Sequence, residues 1–133
     1  MATTDKLHFS LVSPERALYS GEVDQVVVPG VDGQFGVLSQ HAPFMTVIQQ
    51  GAIRILDGAS ERKIYVGGGF ADVTPQGLTI LAEDAVDLAK LDAAGLEKDL
   101  QNAREDVRDA KDADVKAAAE RKLARLEAIR AAA

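Results

Sequence analysis

Apolar positions change their spacing once along the chain, close to residue 88. Before that point the pattern has period two. Leu7, Phe9 and Leu11 alternate with His8 and Ser10; Val26 and Val28 flank Val27; Ile53 and Ile55 flank Arg54. Ile64 and Val66 flank Tyr65, and Leu78 and Ile80 flank Thr79. Successive strand side chains point to opposite faces, so this alternation predicts half-buried strands. Turn residues part the runs: Ser13-Pro14, Ser20-Gly21, Pro29-Gly30, Asp57-Gly58, Gly67-Gly68-Gly69 and Pro75-Gln76-Gly77. About ten short strands with frequent turns predict an antiparallel β-sandwich or flattened barrel over residues 1–87.

Residues 88–133 carry a helical pattern instead. Leu96, Leu100, Ala103, Val107 and Ala110 recur at steps of four and three, a narrow seam on one side of a helix. Val115, Ala119, Leu123, Leu126 and Ile129 do the same for a second helix. Asp92 is placed to cap the first helix, and an aspartate in Lys111-Asp112-Ala113-Asp114 to cap the second. The expected unit is an antiparallel two-helix hairpin. Much of its seam is alanine, and isolated helices of this length are marginal in water. Its connection holds neither Gly nor Pro. We therefore expect a hairpin able to leave the β domain and extend.

Composition narrows the function. The 133 residues include no cysteine, which excludes disulfides, zinc–thiolate sites and thiol nucleophiles. No run of about 18 apolar residues marks a membrane span, and the polar start Met1–Lys6 lacks a secretory apolar core. A net charge of −6 argues against nucleic-acid binding. From Ala113 onward, however, lysine and arginine outnumber aspartate and glutamate by five to three. Arg121, Lys122 and Arg125 share a helix side there. Two readings stay open: a solvated face with Glu120 and Glu127 as local partners, or a contact surface for acidic helices.

Catalytic readings fare poorly. Gly67-Gly68-Gly69 lacks the Lys-Ser/Thr of a phosphate-binding loop and opens no helix, so a tight strand connection is expected. Gly30, Gly33 and Gly36 are spaced as turns rather than as a dinucleotide fingerprint. Asp32, Ser39 and His41 share one turn-rich segment without a nucleophile elbow. Two histidines and no cysteine leave no credible metal site.

The segment Gly33-Gln34-Phe35-Gly36-Val37-Leu38, followed by His41-Ala42-Pro43, resembles the epsilon subunits of F-type ATP synthases. Gly21 to Val28, Gly51-Ala52-Ile53-Arg54-Ile55, Gly68-Gly69-Phe70 and Leu78-Thr79-Ile80-Leu81-Ala82 extend the resemblance in the same order. It implies a non-catalytic central-stalk subunit of a proton-translocating synthase. The β domain would dock on the gamma subunit and couple the c-ring to the catalytic head. The loop holding Asp32, Gln34, His41 and Pro43 would face the ring. The helices would extend toward the alpha and beta subunits and inhibit ATP hydrolysis, with Arg121, Lys122 and Arg125 meeting acidic surface on beta. Membrane association would come only through the complex, on the cytoplasmic face of a bacterial inner membrane; a plastid-encoded chain would look similar. Some relatives bind ATP through a pattern that Leu91 and Asp92 match. Gly95 stands where that pattern has arginine and removes a cation for phosphate, so no cofactor is expected and ATP is disfavoured as a regulatory ligand. The competing classes are an unrelated protein-binding module with a helical tail and a small-molecule enzyme on a β-sandwich, the latter lacking a nucleophile–base pair.

Overall fold

The computed structural model describes residues 6–30, 33–38 and 43–133. Among these are ten strands: β1 (Leu7–Val12), β2 (Ala17–Val23), β3 (Gln25–Gly30), β4 (Gly33–Val37), β5 (Phe44–Ile48), β6 (Gly51–Asp57), β7 (Ser60–Val66), β8 (Gly69–Thr74), β9 (Gly77–Ala82) and β10 (Ala85–Asp87). A single 3-10 turn over Leu88–Lys90 leads to α1 (Ala93–Asp109) and α2 (Ala113–Ala132). The chain divides into two compact units, one ending at Ala89 and the other beginning at Lys90.

The β unit is one curled sheet in the order β10-β7-β6-β3-β5-β8-β9-β1-β2, with β4 paired to β3. The alternation in the sequence maps onto its inner face. Leu7, Phe9, Leu11, Val26, Val28, Ile53, Ile55, Leu78 and Ile80 are all buried in one cluster, while His8 and Thr79 are exposed. Tyr65 departs from the pattern: the last three residues of β7 are all buried. Apart from the phenol of Tyr65, which lies outside that cluster, no side chain with a polar or charged group is buried among the described residues, so the cluster itself needs no internal hydrogen-bond partners. The pairing is antiparallel except that β1 runs parallel to β9, with Phe9 opposite Leu78 and Leu11 opposite Ile80.

β2 and β10 are the two ends of this sheet path, and side chains bring them together. The Arg62 guanidinium on β7 lies 5.3 Å from the centre of the Tyr19 ring on β2. Its Nη2 also donates to Asp87 Oδ2 on β10 at 2.6 Å. The other Asp87 oxygen accepts the Ala89 N–H at 3.0 Å. One arginine thus ties the last strand and the chain exit to the opposite sheet end through a cation–π contact and an ion pair. Tyr19 continues inward to Phe9, with ring centres 5.6 Å apart.

The expected glycine connection lies between β7 and β8. Gly68 and Gly69 have φ of +115° and +145°, a region closed to side chains with a Cβ. Glu83 N–H donates to Gly68 C=O, and Gly67 N–H to Asp84 C=O. A Cβ on Gly69 would fall 1.9 Å from the Leu81 carbonyl oxygen. The backbone of β9 therefore occupies the space that any other residue would need.

In the helical unit the seam buries Leu96, Leu100 and Ala103 of α1 and Leu126 and Ile129 of α2. Glu97 and Arg130 pair at 3.1 Å, joining the start of α1 to the end of α2 as an antiparallel hairpin requires. Asp112 caps α2 by accepting the Val115 N–H at 2.8 Å. Asp92 holds the N-cap position of α1 but makes no side-chain cap. Packing thins toward the connection: Val107 is half-buried, and Val115, expected on the buried row, is 53% exposed. Ala110 lies beyond α1 as its extended C-cap.

Two measurements test this account. Gly69→Ala combines a forbidden backbone region with a backbone clash; urea unfolding should show a loss of about 3 kcal/mol or more. At the sheet rim, Lys6 bridges Asp24 and Asp57. Asp24 is held below the usual carboxylate range by its hydrogen bond from Lys6, and next by one from the Gly58 N–H. A depressed carboxyl stabilises the fold fully above its unfolded pKa, and that contribution disappears as pH falls through the folded value. Asp24→Asn should therefore lower the thermal midpoint at neutral pH, with the gap from wild type closing in acid below about pH 4 and shrinking in high salt.

Candidate functional site

The inner face of the sheet is committed to the core, so the outer face is free to carry function. On most strands it is polar. The exception is where β5, β8 and β9 lie side by side. Register sets Val47 opposite Phe70 and Phe70 opposite Leu81, giving one apolar row across three strands. Met45 stands two residues before Val47 on the same face. Met45 is 67%, Val47 48%, Phe70 50% and Leu81 53% exposed. Single exposed apolar residues are ordinary, whereas a contiguous row is the kind of surface that partners cover. Beside it lies one charge: Asp72 is cross-strand partner to both Met45 and Thr79.

The row is invisible to alternation alone. Phe44 to Ile48 is apolar at four of five positions, and only the pairing with β8 shows that Met45 and Val47 face outward. The residues expected to meet partners fall elsewhere. Asp32 and His41 lie outside the described residues, as does Ser39, so the loop reading is not addressed there. Gln34 on β4 and Pro43 just before β5 are exposed, and Leu38, next after β4, is 53% exposed. Arg121, Lys122 and Arg125 are all exposed on α2, as are Glu120 and Glu127. Among the described residues no group of three His, Cys, Asp or Glu side chains could hold a metal ion.

Leu91 is half-buried and Asp92 exposed just before α1. A Cβ on Gly95 would come within 2.8 Å of Asp92 Oδ2. The exposed carboxylate lies over the first turn of α1 without capping it. Glycine at position 95 supplies no cation beside Asp92.

Residues 6–88, nearly the whole β unit, match the family model described as ATP synthase, Delta/Epsilon chain, beta-sandwich domain. The chain belongs to this ATP synthase delta/epsilon family. It is 55% identical over 129 residues to the ATP synthase epsilon chain of Maricaulis maris, covering 97% of each chain. It is 49% identical over 130 residues to that of Hyphomonas neptunium, covering 96% of each. The epsilon chain of Caulobacter vibrioides aligns over 84 residues at 61% identity, which is 98% of that chain but 63% of this one. Among solved structures, a chain of the Euglena gracilis mitochondrial ATP synthase superimposes with a TM-score of 0.79 at 23% identity, covering 99% of this chain and 84% of that one. The fold of both units is thus shared with a chain of little sequence identity.

Titration calorimetry of the full chain with ATP and Mg2+ should give no binding heat at submillimolar nucleotide. Saturable binding there would contradict the reading of Gly95.

Proposed function

We propose that this chain is the epsilon-type, non-catalytic central-stalk subunit of a proton-translocating rotary ATP synthase. Its β unit docks on the gamma subunit through the outward row Met45, Val47, Phe70 and Leu81. That row is the observation that carries the reading: it leaves apolar area in water that a partner would cover, at about 25 cal/mol per Å² removed. A coupling element has to transmit torque without yielding. The close-packed apolar cluster and the Arg62 clasp give the β unit that stiffness. Exposed Gln34 on β4 and the exposed Leu38 and Pro43 are the part offered to the c-ring, so the unit links shaft and ring.

The helical unit serves as the regulatory arm. Its seam rests on four large buried side chains, Leu96, Leu100, Leu126 and Ile129, plus Ala103. At about 1.5–3 kcal/mol for each large side chain, opening it is within reach of a partner that offers alternative contacts. Extended along the shaft toward the alpha and beta subunits, the exposed cations of α2 would meet acidic surface on beta and block ATP hydrolysis. Because every contact runs through other subunits, the chain sits at the membrane only as part of the complex, on the cytoplasmic side in a bacterium. The short Caulobacter relative supports the division of labour, since about a third of this chain has no counterpart there.

ATPase assays of the catalytic head with and without this chain test the proposal. Adding the full chain should lower hydrolysis. A version ending at Lys90 should still bind gamma in pull-down yet no longer inhibit. Loss of gamma binding on that truncation, or full inhibition by it, would reject the assignment.

A further inference from the structure

The apolar row is interrupted by one charge, and its position constrains what covers it. Asp72 lies on the outer face of β8, two residues from Phe70. It is directly opposite Met45 on β5 and Thr79 on β9, with Val47 and Leu81 at the two diagonals. Directly paired side chains on a sheet stand about 5 Å apart and diagonal ones about 7–8 Å. A surface that seals both Met45 and Phe70 therefore also covers Asp72. None of the outward residues at these positions is lysine or arginine, and Asp72 forms no ion pair among the described residues. Desolvating an unpaired carboxylate opposes association far more strongly than one apolar row favours it, unless the partner brings a cation to it.

We propose that Asp72 is the specificity-determining anchor of this docking face, paired on assembly with a lysine or arginine of the partner. The partner surface is then defined chemically: an apolar ridge over Val47, Phe70 and Leu81, with one cation set beside it to reach between Met45 and Thr79. A second copy of this chain does not fit. An isologous dimer uses the same patch twice, which would enclose two Asp72 carboxylates without a cation from either row. The charge thus selects a partner of different sequence and fixes its register on the sheet, as charge complementarity does at other interfaces. This rests on the docking reading above, with the gamma subunit as the partner.

The test is binding of the full chain to purified gamma subunit at low and high salt, with Phe70→Ser, Asp72→Asn and Asp72→Glu variants checked for native circular dichroism. Phe70→Ser is expected to lose most binding. Asp72→Asn should bind at least about 30-fold more weakly than wild type, with a flattened salt dependence, whereas Asp72→Glu should keep most of the affinity. If Phe70→Ser fails to bind but Asp72→Asn binds like wild type, or is weakened with an unchanged salt dependence, the Asp72 anchor is overturned and the docking reading stands. If Phe70→Ser and Asp72→Asn both bind like wild type, the docking face itself is wrong and the anchor falls with it. Sedimentation of the chain alone should show a monomer; a dimer abolished by Phe70→Ser would overturn the assignment to a different partner.

Discussion

A β-strand has two faces, and here one of them is spent on a single closed core. Everything else about the β unit follows from that constraint. Ten short strands can exclude water from their inner side chains only if the sheet curls until its ends approach. The ends do not extend the ladder into each other; β2 and β10 stay the termini of the path. Closure falls to side chains, with Arg62 set against the Tyr19 ring and against Asp87. A guanidinium suits this place because it can stack on a ring while its edge donates to a carboxylate. Since Asp87 also holds the Ala89 N–H, the same contact anchors the point at which the chain leaves the β unit.

With the inner face committed, the outer face is where surface chemistry varies, and it varies in rows. The register carries Val47, Phe70 and Leu81 across three strands, and the next row holds Met45, Asp72 and Thr79. Beyond β9 the pairing with β1 sets Ser10 beside Thr79 and His8 beside Gly77, so the face grades from apolar to polar along the strands. Such a gradient gives a partner a direction as well as a footprint. For a subunit that must be carried round by a shaft, a fixed orientation matters as much as affinity.

The sequence makes the core legible and the outward apolar row not, for one physical reason. Burial of alternate residues is a local signal, readable within a single strand such as Leu7–Val12 or Gly77–Ala82. Adjacency of Val47, Phe70 and Leu81 is non-local; it depends on which strands pair and in what register. The parallel pairing of β1 with β9 was hidden likewise, because nothing near Phe9 points to Leu78. The helices were legible through their period and through Asp112 as a cap, while the exposure of Val115 was not, since helical spacing cannot tell that packing thins at the connection. As contacts, the family resemblance named a loop and basic helix residues; Phe70 and Leu81 lay in its matching blocks with no role attached, and Asp72 lay outside them.

The two units differ in how strongly their own contacts hold them. In the β unit 17 buried apolar residues form one cluster. In the helical unit the buried row is short, much of the remaining seam is alanine, and the Glu97–Arg130 pair is about half exposed at both partners, where such pairs contribute little. Alanine favours helix without adding much buried area. Such helices are marginal in water by themselves, so an opened seam keeps its helices only where a partner supplies new contacts. That is the property an arm needs if it is to exchange one set of contacts for another. A leucine-filled seam would favour the closed hairpin too strongly, and a glycine-rich arm would lose its helices on release. Local unfolding energies in proteins range widely between segments, and the smaller buried row lies in the unit proposed to move while the larger cluster lies in the unit proposed to carry load.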